Sequence, residues 1–426
     1  MATYAPANSL VYLESNSLGN VATTITRTDA WKTLSPSLGT TNRRSLPWFA
    51  RFAAWTGIGP IQTVVAARAQ VAVVILDLGT SEEGDTLKVR PEAAILIETH
   101  TSARRIKPAV EQTLKRLAEG AYGTPAFRRA SNNGVEYMIW TAPTGSRQIV
   151  ATVADSLVII GNNEAALDAC LAVRRGQRAS IQNDPELQRM RRSLASDQAL
   201  AFGFVSSANA ARLAAVATPL LFGRRETDRG FDRLISSAAA KIVRTIGWSS
   251  FQFNDAIEDR YLFTLEPSVM SRLRPAFDAA NGDPPFELLP DRVYSISEYK
   301  FADPLEAWES CKDAALSRLD ALSAVVVNSL LKSALLTYGV DDPEKFLTLV
   351  GPKVLTVRLH PAAERSVLVA AVRNEQALQQ LVTQKLGGNP RHETFGTVEI
   401  LQSQDEETAA AFVNGYLLMG PPAAVR

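Results

Sequence analysis

Apolar residues fall on every second position through "SLVYLES" (9–15), the period of a half-buried strand. They fall at three- and four-residue spacing through "RIKPAVEQTLKRLAEG" (105–120), the period of an amphipathic helix. "QVAVVILDL" (70–78) and "KVLTVRL" (353–359) are near-continuous apolar runs and read as buried strands. Four short strand patterns follow the helix: "FRRAS", "VEYMIWTAP", "QIVATVAD" and "SLVIIGN". The stretches "NNG" and "PTGS" between them carry hairpin-turn chemistry. A further strand, "QALAFGFVSS", precedes a hairpin over 248–267. Helix starts are marked by "NDPE" (183–186), "ADPLE" (302–306) and "DDPE" (341–344). Each places Asp at a cap, Pro at the first helical position and Glu in the first turn. The third such pattern follows one long helix expected from about 304 to 337, with Gly57 and Gly339 as helix stops. Strands and helices come in blocks rather than strict alternation. That predicts an α+β fold, with mostly antiparallel sheets packed against helices.

The chain repeats itself. "APANSLVYLES" (5–15) answers "LPDRVYSISEY" (289–299), with Pro6 over Pro290 and Glu14 over Glu298. Val71 falls over Val354, "AAILIET" (93–99) over "SVLVAAV" (366–372), "VEYMIW" (135–140) over "VEILQS" (398–403), and Gly161 over Gly420. The spacing shortens steadily, as trimmed loops in a second copy produce. The pattern predicts a duplicated unit of about 280 residues, far longer than a solenoid repeat. The first copy is expected over 1–287. The second, over 288–426, is truncated after its last strand. Only "PPAAVR" remains there of a helix that continues in the first copy, and one turn cannot hold itself.

Charge narrows the partners. With 45 basic and 44 acidic residues among 426, the net charge is +1, which argues against nucleic acid as a partner. Cys170 and Cys311 sit in apolar helical patterns and behave as small hydrophobes, not as a disulfide framework. No apolar run is long enough for a membrane span. The apolar helix at 319–336 carries Asp320, Asn328 and Lys332 and reads as a core helix with a polar stripe.

Residue patterns that carry chemistry are sparse. His100, His360 and His392 each stand alone, without metal-ligand spacing. Neither a phosphate loop nor a G-x-S-x-G elbow is present. S-x-x-K, which can place a lysine base one helical turn from a nucleophilic serine, occurs at 297–300 and 329–332. The first copy of that motif lies in a strand, where the geometry fails. Only Ser329 and Lys332 are left as hydrolase candidates. Arg174, Arg175, Arg178, Arg189, Arg191 and Arg192 are candidates for an anion-binding face. No catalytic, cofactor-binding or metal-ligating residue is assigned, and no cofactor is expected.

"PANSLVYLES", "YGVDDPEKFLTLVGPKV" and "VADSLVIIGNNEAAL" resemble a bacterial extracytoplasmic family known only as a domain of unknown function. Its members open with a similar extended strand and share the strand–turn–helix phrase. The resemblance implies an extracytoplasmic or periplasmic setting and tethering by an N-terminal membrane helix, and the expectation is that the given sequence represents the region beyond such an anchor. It carries over no functional residues. The expectation is a non-enzymatic binding or scaffold protein, with other proteins of a membrane or envelope complex as partners. The alternative is a binder of a small or lipidic ligand in a cavity between sheet and helices. A hydrolase is the least favoured reading.

Overall fold

The computed structural model describes residues 1–29, 31, 60–83, 86–132, 134–206, 209, 212–213, 241–254, 256–277, 285–290, 293–317, 319, 321, 324–325, 328–329, 340, 342–360 and 366–426. They form two compact units, Met1–Leu265 and Glu266–Arg426. The boundary falls earlier than the expected 287, because the helix Pro267–Phe277 packs on the helix Pro304–Leu316 of the second unit. All strand pairings among the described residues are antiparallel, and the fold is α+β.

In the first unit the strands are β1 (Val11–Ser15), β2 (Gln70–Glu83), β3 (Thr86–Glu98), β4 (Ala126–Asn132), β5 (Val135–Thr141), β6 (Gln148–Ala154), β7 (Leu157–Gly161), β8 (Ala201–Val205), β9 (Val243–Phe253) and β10 (Ala256–Leu265). They lie in the order β10-β9-β8-β1-β2-β3-β7-β6-β5-β4. The helices are α1 (Leu18–Arg27), α2 (Pro60–Arg68), α3 (Ala103–Tyr122), α4 (Glu164–Arg174) and α5 (Pro185–Ser193).

One face of this sheet carries Tyr12, Val74, Leu96 and Ile159, packed against Leu167 and Cys170 of α4 and Leu187 and Met190 of α5. Register alternation sends Met138, Trp140 and Ala151 to the other face, where Leu114 and Ala118 of α3 cover them. Asp184 caps α5 as its sequence predicts, accepting from the N–H groups of Glu186 (2.8 Å) and Leu187 (3.4 Å).

The second unit holds α6 (Pro267–Phe277), β11 (Ser295–Lys300), α7 (Pro304–Leu316), α8 (Pro343–Leu349), β12 (Val350–Arg358), β13 (Val367–Val372), α9 (Glu375–Lys385), β14 (Arg391–Phe395), β15 (Val398–Gln402), β16 (Ala409–Val413), β17 (Tyr416–Gly420) and α10 (Pro422–Val425). Its sheet runs β11-β12-β13-β17-β16-β15-β14. That is the order β1-β2-β3-β7-β6-β5-β4 of the first unit, strand for strand.

Each matched stretch of sequence falls on strands in the same place. Asp155 (φ 55°) and Asn414 (φ 51°) both turn left-handed between the last two strands of their hairpins. Gly161 and Gly420 are both closely approached, so that a side chain at either would need its neighbours to shift. A Cβ would lie 2.5 Å from Leu167 Cδ1 at the first, and 3.1 Å from the Ser366 carbonyl oxygen at the second. Asp303 and Asp342 cap α7 and α8 through the N–H groups of Leu305, Glu306 and Lys345. The long helix expected from 304 to 337 is interrupted after Leu316, where the Ser317 N–H donates to the Asp313 carbonyl, and the described residues 321, 324, 325, 328 and 329 are helical again. Gly57, Gly339 and most of 319–336 lie outside the described residues.

A candidate ligand cavity beneath helix α3

α3 is a 20-residue helix that starts without a side-chain cap and ends at Gly123 (φ 75°). Its buried residues are only Ile106, Leu114 and Ala118. Between α3, the end of α2 and strands β3 and β7 lies a cavity of about 630 Å³. The sheet supplies Ile97, Val158 and Ile160, α2 supplies Val65 and Ala66, and α3 supplies Ile106, Ala109, Val110, Thr113 and Leu114. Thr99, Thr101 and Arg105 complete the lining.

The cavity has a cause in the sequence. Aligning "AVEQTLKRLAEG" (109–120) with "ALQQLVTQKLGG" (377–388) places α3 over α9, which lies on the matching face of its own sheet. Val110 then stands where α9 has Leu378, Thr113 where it has Leu381, and Ala118 where it has Leu386. Those three leucines are all buried in the second unit's core. The first unit has three smaller side chains on the equivalent face, and two of them line the cavity.

Its polar groups collect at one end. Thr99 Oγ1 donates to the Ser156 carbonyl (2.7 Å), and Thr101 Oγ1 to the Thr99 carbonyl (3.2 Å). Both hydroxyls therefore serve the loop that leads from β3 into α3. Glu98, just before it, is buried and accepts from Tyr4 (3.2 Å) and from the His100 N–H (3.0 Å). Burial alone would raise the Glu98 pKa. Hydrogen bonds from Ser156, His100 and Tyr4 outweigh that and hold it below the usual carboxylate value.

The cations around α3 divide into two sets. Lys107 is paired with Glu136 (2.9 Å), Arg129 with Glu111 (2.8 Å) and Arg128 with Glu164 (2.5 Å). Arg104 and Arg105, in the first turn, have no ion-pair partner among the described residues, and no acid is present in that turn. Cations at a helix N-terminus face the positive end of its dipole, an unfavourable placement unless an anion is held there. Pro108 has no N–H for the carbonyl of Arg104, which loosens the same turn.

The candidates singled out from sequence do not converge. Arg174 pairs with Asp155, Arg189 with Glu186 (2.6 Å) and Arg191 with Glu14, while Arg178 donates to Asn8 (2.7 Å). Those arginines are spread over separate partners rather than pooled on an anion. Ser297 and Lys300 sit on strand β11, Ser329 is exposed, and Lys332 lies outside the described residues. His392 is on β14 beside Glu399 (2.8 Å), and His100 and His360 are exposed. Among the described residues, no group of three or more His, Cys, Asp or Glu side chains could hold a metal ion. Cys170 is fully buried, whereas Cys311, expected in a core, is exposed at the margin of the Ala307–Ala314 stripe of α7. No described helix is long and apolar enough to cross a membrane.

No family model and no curated protein matches the chain. Among solved structures, the chain is similar to "Structure of crystal form IV of TP0453", with a TM-score of 0.32 and 10% identity. The match covers 66% of this chain and 88% of that one.

Proposed function

We propose that the first unit binds a single-chain amphiphile with an anionic head group, its tail beneath α3 and its head beside Arg105. The observation that carries this reading is the cavity itself. At about 630 Å³ it lies within the ~300–1,000 Å³ span of small-molecule sites, and its walls are mainly aliphatic. Val110 and Thr113 create the space where the other unit is filled. Arg105, at one end and without an ion-pair partner among the described residues, supplies the complement to a carboxylate or phosphate.

Displacement of a fluorescent long-chain fatty acid tests the proposal. Thr113→Leu is expected to weaken binding at least about tenfold by occupying the cavity. Arg105→Ala is expected to weaken binding of the acid while leaving the alcohol of the same chain length unchanged. Failure of the wild-type protein to bind either compound would overturn the reading. Equal binding by wild type and Thr113→Leu would place the ligand elsewhere.

A scaffold role in an extracytoplasmic complex is the second reading. It is favoured by Tyr261 (62% exposed), Phe263 (53%) and Ile257 (38%) on one face of β10, an apolar surface that a protein partner could cover. We further propose that the two units descend from one duplicated ancestor, which their shared strand order supports.

A further inference from the structure

Helix α3 is fastened differently along its two halves. From Leu114 onward, Leu114 and Ala118 are buried on Met138, Trp140 and Ala151, with Tyr122 packed beside them. Before Leu114, Ala109, Val110 and Thr113 line the cavity, and Ile106 is the one buried side chain.

Charge fastens that first half. Lys107 Nζ donates to Glu136 (2.9 Å), and Arg129 donates to both carboxylate oxygens of Glu111 (2.8 and 3.0 Å). Arg129 also lies 3.4 Å from Glu136, which closes the set into one network. Lys107 and Glu111 stand one helical turn apart on α3, while Arg129 and Glu136 belong to β4 and β5. Four alternating charges therefore join the helix to the hairpin. Their side chains are between 31% and 51% exposed, so dissolved salt reaches and screens them.

The second unit is built the other way. Glu375, Gln379, His392 and Glu399 stand at the four equivalent places. Bonds there stay within each element, Gln379 donating to Glu375 (3.1 Å) and His392 lying beside Glu399 (2.8 Å). α9 is anchored by Leu378, Leu381 and Leu386 instead. The first unit thus has charge where the second has leucine. Pro108, next to Lys107, has no N–H for the Arg104 carbonyl, so this half of α3 is also the less rigid one.

We propose that residues 103–113 of α3 are the gate of the cavity, lifting about Leu114 when the network of Lys107, Glu111, Arg129 and Glu136 lets go. The use of the gate to admit a ligand rests on the ligand reading above, whereas the ionic latch does not. Exposed pairs hold such a segment closed most of the time and release it often, which a packed leucine face does not allow.

Hydrogen exchange of the full chain, read separately over 103–113 and 114–122, tests the latch. Raising salt from about 0.02 M to about 0.5 M is expected to speed exchange over 103–113 about threefold to tenfold and to leave 114–122 unchanged. Glu136→Gln is expected to give the same acceleration at low salt, with little added by more salt. Val110→Leu with Thr113→Leu supplies the anchors of α9 and is expected to slow exchange over 103–113 and remove most of its salt dependence. The association rate of a fluorescent long-chain alcohol, whose encounter no charge steers, is expected to rise with salt and in Glu136→Gln by a similar factor. Exchange over 103–113 that ignores both salt and Glu136→Gln overturns the latch. Alcohol uptake at one rate under all these conditions overturns the gate and leaves the ligand reading standing. Salt-dependent exchange without any binding overturns the ligand reading and leaves the latch standing.

Discussion

Helices α3 and α9 cover the same face of the same strand arrangement, one over a cavity and the other over a filled core. α9 is 11 residues long and sends Leu378, Leu381 and Val382 into its core, where Phe346 and Leu347 of α8 join them. α3 is 20 residues long and keeps only Leu114 among the four matched positions as a fully buried, large aliphatic group pressed on the sheet. Length does not decide which helix packs solidly. Side-chain volume at three inner positions does, and the same strand order accommodates both a filled core and a cavity. The second unit serves as the internal control for the first.

Truncation at matched positions gives the largest contrast. Leu378→Ala removes a fully buried side chain and is expected to cost about 2–5 kcal/mol, whereas Val110→Ala, beside an existing cavity, is expected to cost about 1 kcal/mol or less. Chemical denaturation, with hydrogen exchange resolved by unit, checks both. Equal costs would mean that the wall at Val110 is as tightly supported as the core at Leu378.

Next in size are the paired glycines. Gly161→Ala forces a Cβ against Leu167 Cδ1 (2.5 Å) and the Ala93 carbonyl oxygen (3.0 Å), for an expected loss of about 1–3 kcal/mol. Gly420→Ala meets backbone at 3.1 Å, from the Ser366 carbonyl oxygen and Val367 Cα. It is expected to cost a comparable amount, because backbone cannot swing aside as a leucine tip can. Thermal unfolding of the two variants measures the difference.

The smallest effect is a dependence on acid. Glu98 has Ala371 as its counterpart, so this contribution belongs to the first unit alone. Its folded pKa is lowered, so its stabilisation is fully present above the ordinary value of 4.5 and is lost as pH falls through the lower folded value. Wild type is therefore expected to exceed Glu98→Gln in stability above about pH 5 and to converge with it in stronger acid. A gap that widens on acidification would contradict the assignment.

Much of the framework was legible in the residues. Alternation in "SLVYLES" and "VEYMIW", the Asp-Pro-Glu helix starts and the matched anchors are local signals, and they marked the strands, the caps and the strand order that the two units share. The end of α7 at Leu316 was not legible, because an apolar helical pattern continues past Ser317 in the sequence. The cavity was legible only in retrospect. Val, Thr and Ala are ordinary residues on an inner helix face, and their meaning appears once Leu378, Leu381 and Leu386 are aligned with them. Arg105 gave no local sign, since its role depends on which neighbouring cations are already paired. The arginine series from Arg174 to Arg192 misled in the opposite sense. Density of charge along the chain says little when Arg174, Arg178, Arg189 and Arg191 each find a separate partner in space.

The two cysteines, one per unit, provide a built-in clock. Cys311 is exposed to solvent, although partial burial raises its thiol pKa, whereas Cys170 is fully enclosed on the inner face of α4 and burial pushes its thiol up to about 12. Modification of the native chain at neutral pH should proceed in two phases, a fast one at Cys311 and a slow one set by how often the first unit opens. The slow rate reports the lifetime of that unit's closed state without any engineered probe. A ligand held beneath α3 should lengthen it, leaving the fast phase untouched.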